Sequence, residues 1–186
     1  MIAGLVKPAS VRALVAVALT VVAVTGCGGS SGVKPAAYVR SMCSALGNWK
    51  SDVQRAGLQL QTSGARSASR AVAKQDYQRF VAALLAATQR AASALQSAGT
   101  PSVTNGKQIA SSLAGAFSTA SRKLTQADAE AGSISTATAS TFQLGASSVT
   151  TQIKAALVGI AAVTPSQSAQ LRAAAAKEPA CQVLRG

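Results

Sequence analysis

Histidine is absent from this 186-residue chain, and only five residues are acidic. The first absence removes the Ser-His-Asp and Cys-His nucleophile systems, together with most zinc sites, which draw on imidazole. The second leaves Asp52, Asp76, Asp128, Glu130 and Glu178 scattered along the chain. Asp128 and Glu130 form the one close pair, and residues two apart on a helix face different sides. A paired general acid and base therefore has no evident home. No Ser-x-x-Lys motif of the Ser-Lys hydrolases occurs in the folded part, and no glycine-rich phosphate loop follows a strand. The expectation is a protein that is not an enzyme and carries no metal and no cofactor.

Aromatic residues are also scarce: three Phe, two Tyr and one Trp. With few rings to stack on bases, nucleic acid is not an expected partner. The rings themselves, Tyr38, Trp49, Tyr77, Phe80, Phe117 and Phe142, fall in phase with apolar stripes and are expected in the core; an apolar pocket between helices is the alternative. Most of the apolar content is alanine. Alanine is the best helix former and a poor strand residue, so the composition predicts an all-α protein with closely approaching helices.

Long apolar runs are missing except for one. Residues 13–24 read "ALVAVALTVVAV", after a start that carries Lys7, Arg12 and no acid. Twelve residues fall short of the roughly 20 that cross a bilayer, so the segment reads as the core of a cleaved signal peptide. Val24, Thr25, Gly26 and Cys27 follow at once. This stretch resembles the lipobox of bacterial lipoproteins: an aliphatic residue, a small one, Gly or Ala, then cysteine. The resemblance implies that Val24, Thr25 and Gly26 are read by signal peptidase II and that Cys27 carries a diacylglyceryl thioether as the first mature residue. The competing reading is an ordinary signal cleavage that leaves Cys27 as a thiol. The alanine-rich, glycine-rich composition is also similar to that of small actinobacterial envelope lipoproteins, a resemblance that implies no particular activity. On the lipobox reading the protein sits at the cell membrane, lipid-anchored on the extracytoplasmic face. The expected organisation is signal peptide 1–26, flexible Gly/Ser tether 27–34 and helical domain 35–186.

Setting Cys27 aside leaves Cys43 and Cys181. An even remainder in an exported protein suggests one disulfide, with two separately buried thiols as the alternative.

The folded part shows four apolar stripes at helical spacing. The first, from Pro35 to about Gln61, carries Tyr38, Met42, Ala45, Trp49 and Val53. The second carries Tyr77, Phe80, Leu84, Ala91 and Leu95, and ends at Gly99. Thr100 and Pro101 are expected to open the third as N-cap and first position; Ile109, Leu113, Ala116, Phe117, Ala120 and Leu124 continue it to about Gly132. Phe142, Ala146, Val149, Ile153, Leu157 and Ile160 form the fourth. A capping box over residues 164–167 is expected to start a short fifth helix. Short connections predict an antiparallel four-helix bundle with a short C-terminal helix and tail. In that topology the fourth helix ends beside the start of the first, which brings the tail within reach of Cys43.

Lys and Arg total 18. Arg66, Arg70 and Lys74, spaced by four, are a candidate anion-binding stripe, with a solvated helix edge as the plainer reading. Lys34, Arg40, Lys107, Lys177 and Arg185 gather toward the anchored end, where anionic lipid or an acidic envelope polymer could attract them. The functional expectation is an anchored binding or scaffolding module with an unspecified protein partner. Its alternative is a carrier or sensor of a small hydrophobic or anionic ligand.

Overall fold

The structure, a computed structural model, describes residues 32–161 and 168–184. The stretch read as a signal peptide, the lipobox-like residues 24–27 with Cys27, the residues 164–167 expected as a capping box, and Arg185 lie outside the described residues. Among the described residues six helices follow in order: α1 (Pro35–Gly64), α2 (Arg70–Ser97), α3 (Gly106–Ser133), α4 (Ala139–Ala161), α5 (Ala169–Lys177) and α6 (Pro179–Gln182). The fold is all-α, an antiparallel four-helix bundle with a short helical tail. α1 packs on α2, α2 on α3 and α3 on α4. The tail returns to the start: α5 and α6 both pack on α1. α1 thus takes the tail, where the sequence had suggested α4, as its second extensive neighbour.

Local chemistry sets most of the helix ends. Pro35 opens α1, where its missing N–H costs nothing because that group has no intrahelical partner. The Ser69 hydroxyl accepts from the Val72 N–H at 3.3 Å and caps α2, and Ser168 does the same for α5 through Leu171. Thr138 Oγ1 accepts from the Thr141 N–H at 3.2 Å ahead of α4. α1 runs three residues past its expected end near Gln61. There the hydroxyls of Thr62 and Ser63 bond back to the carbonyls of Leu58 and Leu60, which lets a polar stretch stay helical.

α3 corrects the sequence reading. Thr100 and Pro101 do not open it; the helix begins at Gly106 behind Asn105, whose φ of 59° is left-handed. The reason is a tertiary contact. Val33 donates to the Thr100 carbonyl at 2.7 Å and accepts from the Ser102 N–H at 2.8 Å, forming an isolated parallel bridge with Pro101. The segment is thereby held extended and Pro101 is buried. Gly99, with φ +76°, turns the chain into this bridge from the end of α2. Gly106 sits so close that a Cβ there would collide with the Pro101 carbonyl oxygen.

The core contains the anticipated stripes. Tyr38, Met42, Leu84, Leu95, Leu113, Phe117, Leu124, Val149 and Ile153 are buried, while Trp49, Tyr77, Phe80 and Phe142 pack on the core partly exposed. Trp49 and Phe117 meet edge to face with ring centroids 5.4 Å apart, the favourable arrangement for two quadrupoles. Between the large side chains lie fully buried alanines, Ala127 and Ala131 on α3 among them, which let helix backbones approach. Thr88 is one of two buried polar residues among the described ones, with Asp76: its hydroxyl donates to the Leu84 carbonyl at 2.8 Å and accepts from Trp49 Nε1 at 3.2 Å, so it is satisfied.

Candidate functional site

Antiparallel packing collects the α1–α2 and α3–α4 connections at one end of the bundle. The α2–α3 connection, the Val33 bridge and the start of α5 lie at the other. Each end holds part of the charge that the sequence singled out.

At the first end the three stripe residues have separate surroundings. Arg66 lies just past α1 and its Nε donates to the Thr62 carbonyl at 3.0 Å, which satisfies one acceptor of the helix terminus. Arg70, the first residue of α2, reaches across to the α3–α4 connection. Its Nε donates to Thr136 O at 2.8 Å and its Nη2 to Ala137 O at 3.1 Å, stitching the two turns together. Lys74 stands one turn further along α2, half-buried. Arg70 is thus a structural clasp.

The residue that sequence reading passed over here is Asp76. It is buried, yet both carboxylate oxygens are served: Oδ2 by the Ser67 hydroxyl at 2.9 Å and Oδ1 by the Arg79 guanidinium. These groups hold its carboxyl below the usual aspartate range, the Ser67 hydrogen bond contributing most and outweighing the opposing effect of burial. Asp52, on α1, behaves similarly. It accepts from Arg90 of α2 and from Arg55 of its own helix, each at 2.9 Å, and its carboxyl is lowered chiefly by the Arg90 hydrogen bond. Asp52 and Asp76 therefore sit ionised against arginines on one α1/α2 face. The spacing signal was present, since Asp76 and Arg79 stand three apart and meet on one side of a helix, but the Ser67 partner comes from the turn and leaves no periodic trace.

Two grooves open along that face. One, of about 540 Å³, lies between the last turns of α1 and the first turns of α2 and includes Arg66. A second, of about 300 Å³, lies beside Trp49 and Asp52, and Arg55 borders both. On the opposite pair, α3 and α4 enclose a cleft of about 450 Å³ where Gln152 donates to Glu130.

At the other end Cys43 and Cys181 form a disulfide with Cα atoms 4.9 Å apart. It joins the third turn of α1 to α6 and lies among buried residues. Beside it Arg40 Nε and Glu178 Oε2 pair at 3.1 Å, and Lys50 Nζ reaches the Val183 carbonyl at 3.4 Å. Lys34 and Lys107 are exposed on either side of the Val33 bridge. Lys177 closes α5 next to Glu178.

Burial raises the Tyr38 and Tyr77 phenols above their usual range; for Tyr77 the hydrogen bond with Thr150 opposes the shift. Among the described residues no group of three or more Cys, Asp or Glu gathers at metal-binding distance. No helix among them is long and apolar enough to cross a membrane. Comparison with protein-family models, with curated proteins and with solved structures finds no match.

Proposed function

We propose that the protein is a membrane-anchored lipoprotein of the cell envelope, joined to the bilayer through Cys27, whose bundle works by binding or scaffolding. The observation that carries this reading is the disulfide between Cys43 and Cys181. Disulfides persist on the extracytoplasmic side and are rare where glutathione or thioredoxin keeps thiols reduced. With two of the three cysteines committed to each other, Cys27 is left for a separate chemistry, and the lipobox at residues 24–27 supplies one.

Geometry at the Val33 bridge agrees with a tether. The chain enters the bundle at a fixed point on one end, flanked by Lys34 and Lys107. Four residues lie between Cys27 and Gly32, so the chain between them reaches at most about 18 Å. A lipid on Cys27 would keep this basic end close to anionic headgroups, where each Lys or Arg near the surface is worth about 1 kcal/mol. Binding in place of catalysis is supported by the missing imidazole and by the engagement of Asp52 and Asp76 with arginines.

The test is Cys27→Ser in the native host. Metabolic labelling with a fatty acid should mark the wild-type protein and not the variant, and the variant should accumulate as precursor or leave the membrane fraction. Labelling that survives the substitution, or unchanged membrane retention, contradicts the proposal. A second reading, a carrier of a small anionic or hydrophobic ligand, is favoured by the arginine-lined groove between α1 and α2.

A further inference from the structure

The face shared by α1 and α2 carries more positive charge than its carboxylates neutralise. Arg55, Arg66, Arg79 and Arg90 border its two grooves, against Asp52 and Asp76. Asp52 alone answers both Arg55 and Arg90. Asp76 has its oxygens taken by Arg79 and Ser67. Two positive charges are left over on this face.

The arginines also keep unused donors. A guanidinium has five N–H groups, and Asp52 and Asp76 take a single one from each of Arg55, Arg79 and Arg90. Arg66 spends its Nε on the Thr62 carbonyl. The side chains of Arg55 and Arg79 are 64% and 70% exposed, so their outer edges face the groove mouth and the solvent.

Between these cations the wall of the larger groove is mixed, with Gln59, Thr62, Ser63 and the Asp76 carboxylate lining it beside four apolar residues. Ala56 is buried, Leu60 and Phe80 are half-buried, and Leu58 stands at the lip 63% exposed. One exposed leucine is ordinary on a protein surface. Here it lines the same groove as Leu60 and Phe80, though from a different side of α1 than Leu60. At about 540 Å³ the groove lies within the range of small-molecule sites.

We propose that this groove binds an amphiphilic anion. Its carboxylate or phosphate head would be held by the guanidiniums of Arg55, Arg66 and Arg79, with its acyl or ring body against Leu58, Leu60 and Phe80. The proposal deepens the carrier reading and does not depend on Cys27. Arg66 is thus the one member of the sequence's basic stripe that takes part, joined by Arg55 and Arg79 from other turns.

Isothermal titration of the processed protein with octanoate and with octyl phosphate tests it. The protein is carried in zwitterionic nanodiscs if it proves lipidated and in buffer if it does not, so failure here is separate from failure of the anchoring reading. One saturable site is expected for both amphiphiles, with inorganic phosphate and octanol each binding at least tenfold more weakly. Arg55→Gln and Arg66→Gln should each weaken octanoate by about tenfold, the worth of one hydrogen bond to a charged group. Among the described residues Arg66 makes no ion pair with a carboxylate, so R66Q keeps the test clear of misfolding. Arg122→Gln, on α3 and away from the groove, should change nothing. Repeating the titration in nanodiscs containing phosphatidylglycerol identifies the source. A weaker apparent octanoate affinity points to membrane lipid as the occupant and an unchanged one to a free amphiphile. Octanol binding as tightly as octanoate, or full affinity retained in both arginine variants, overturns the proposal.

Discussion

Removing the Cys43–Cys181 bond should lower stability by an amount set mainly by the length of chain it encloses. The cysteines are 138 positions apart, so the loop holds almost the whole bundle. In the chain-entropy treatment, cross-linking a loop of that length restricts the unfolded chain by about 17 cal/mol/K, or about 5 kcal/mol at 25 °C. An unfolding entropy near 2.1 cal/mol/K per residue gives a domain of roughly 150 residues about 0.3 kcal/mol per degree. The double substitution Cys43→Ala, Cys181→Ala should therefore lower Tm by about 15 °C. Because α5 and α6 pack on α1 and on each other, the loosened tail should be the first region to open. Thermal melts followed by circular dichroism, run beside amide hydrogen exchange, read both effects. Tail amides should exchange at a lower free energy than those of α2 and α3. A Tm drop below about 4 °C, or a tail protected as well as the bundle, would refute the reasoning; the first result would mean that the unfolded chain gains little freedom when cut loose.

Three further outcomes follow from the packing. Phe117→Ala removes a fully buried ring stacked edge-on to Trp49; denaturant melts should show a loss of about 3 to 5 kcal/mol and the emission of the single Trp should shift to the red. Gly106→Ala sets a helix-propensity gain of about 1 kcal/mol against a collision with the Pro101 carbonyl oxygen. The collision should win, with a net loss of up to about 2 kcal/mol in the same assay, and a stabilised variant would show that the Val33 bridge yields easily. The lowered carboxyls of Asp52 and Asp76 contribute stability that is fully present above the unfolded aspartate pKa of about 4 and is lost as pH falls through their folded values. Tm should stay flat from neutral pH down to about pH 5 and then fall, and Asp76→Asn should reduce the size of the acid limb.

Helical class and core were legible because alanine content and the spacing of large apolar residues act locally. Tyr38, Met42, Leu84, Phe117 and Val149 occupy the interior that their periodicity assigned. What the sequence hid was set by contacts distant along the chain. Thr100-Pro101 has the chemistry of a helix start, yet Val33, far upstream, claims its backbone for a bridge. Arg70 reads as an exposed cation on a basic stripe, while its actual partners are carbonyls 66 and 67 positions away. Leu58 and Phe80 carry no motif that marks them as two sides of one groove. Packing of the tail on α1 was only half visible: cysteine parity suggested the bond, but its length gave no sign that α5 and α6 would stand where α4 was expected.

The bridge at Val33 and the bond at Cys43 also define how tension on the N-terminal side would travel. A pull ahead of Gly32 meets two backbone hydrogen bonds first, and they break one after another because the force arrives at the edge of the contact. Next come the opening turns of α1, which can unwind residue by residue. Unwinding halts at Cys43, where a covalent link hands the force to α6 and to Cys181 near the other terminus. When the opposing pull acts beyond Cys181, the remaining length of α1 and the helices packed on it are bypassed by this link. The arginine groove near Leu58 lies inside the loop that this bond closes, so tension between a point ahead of Gly32 and one beyond Cys181 would leave its shape unchanged.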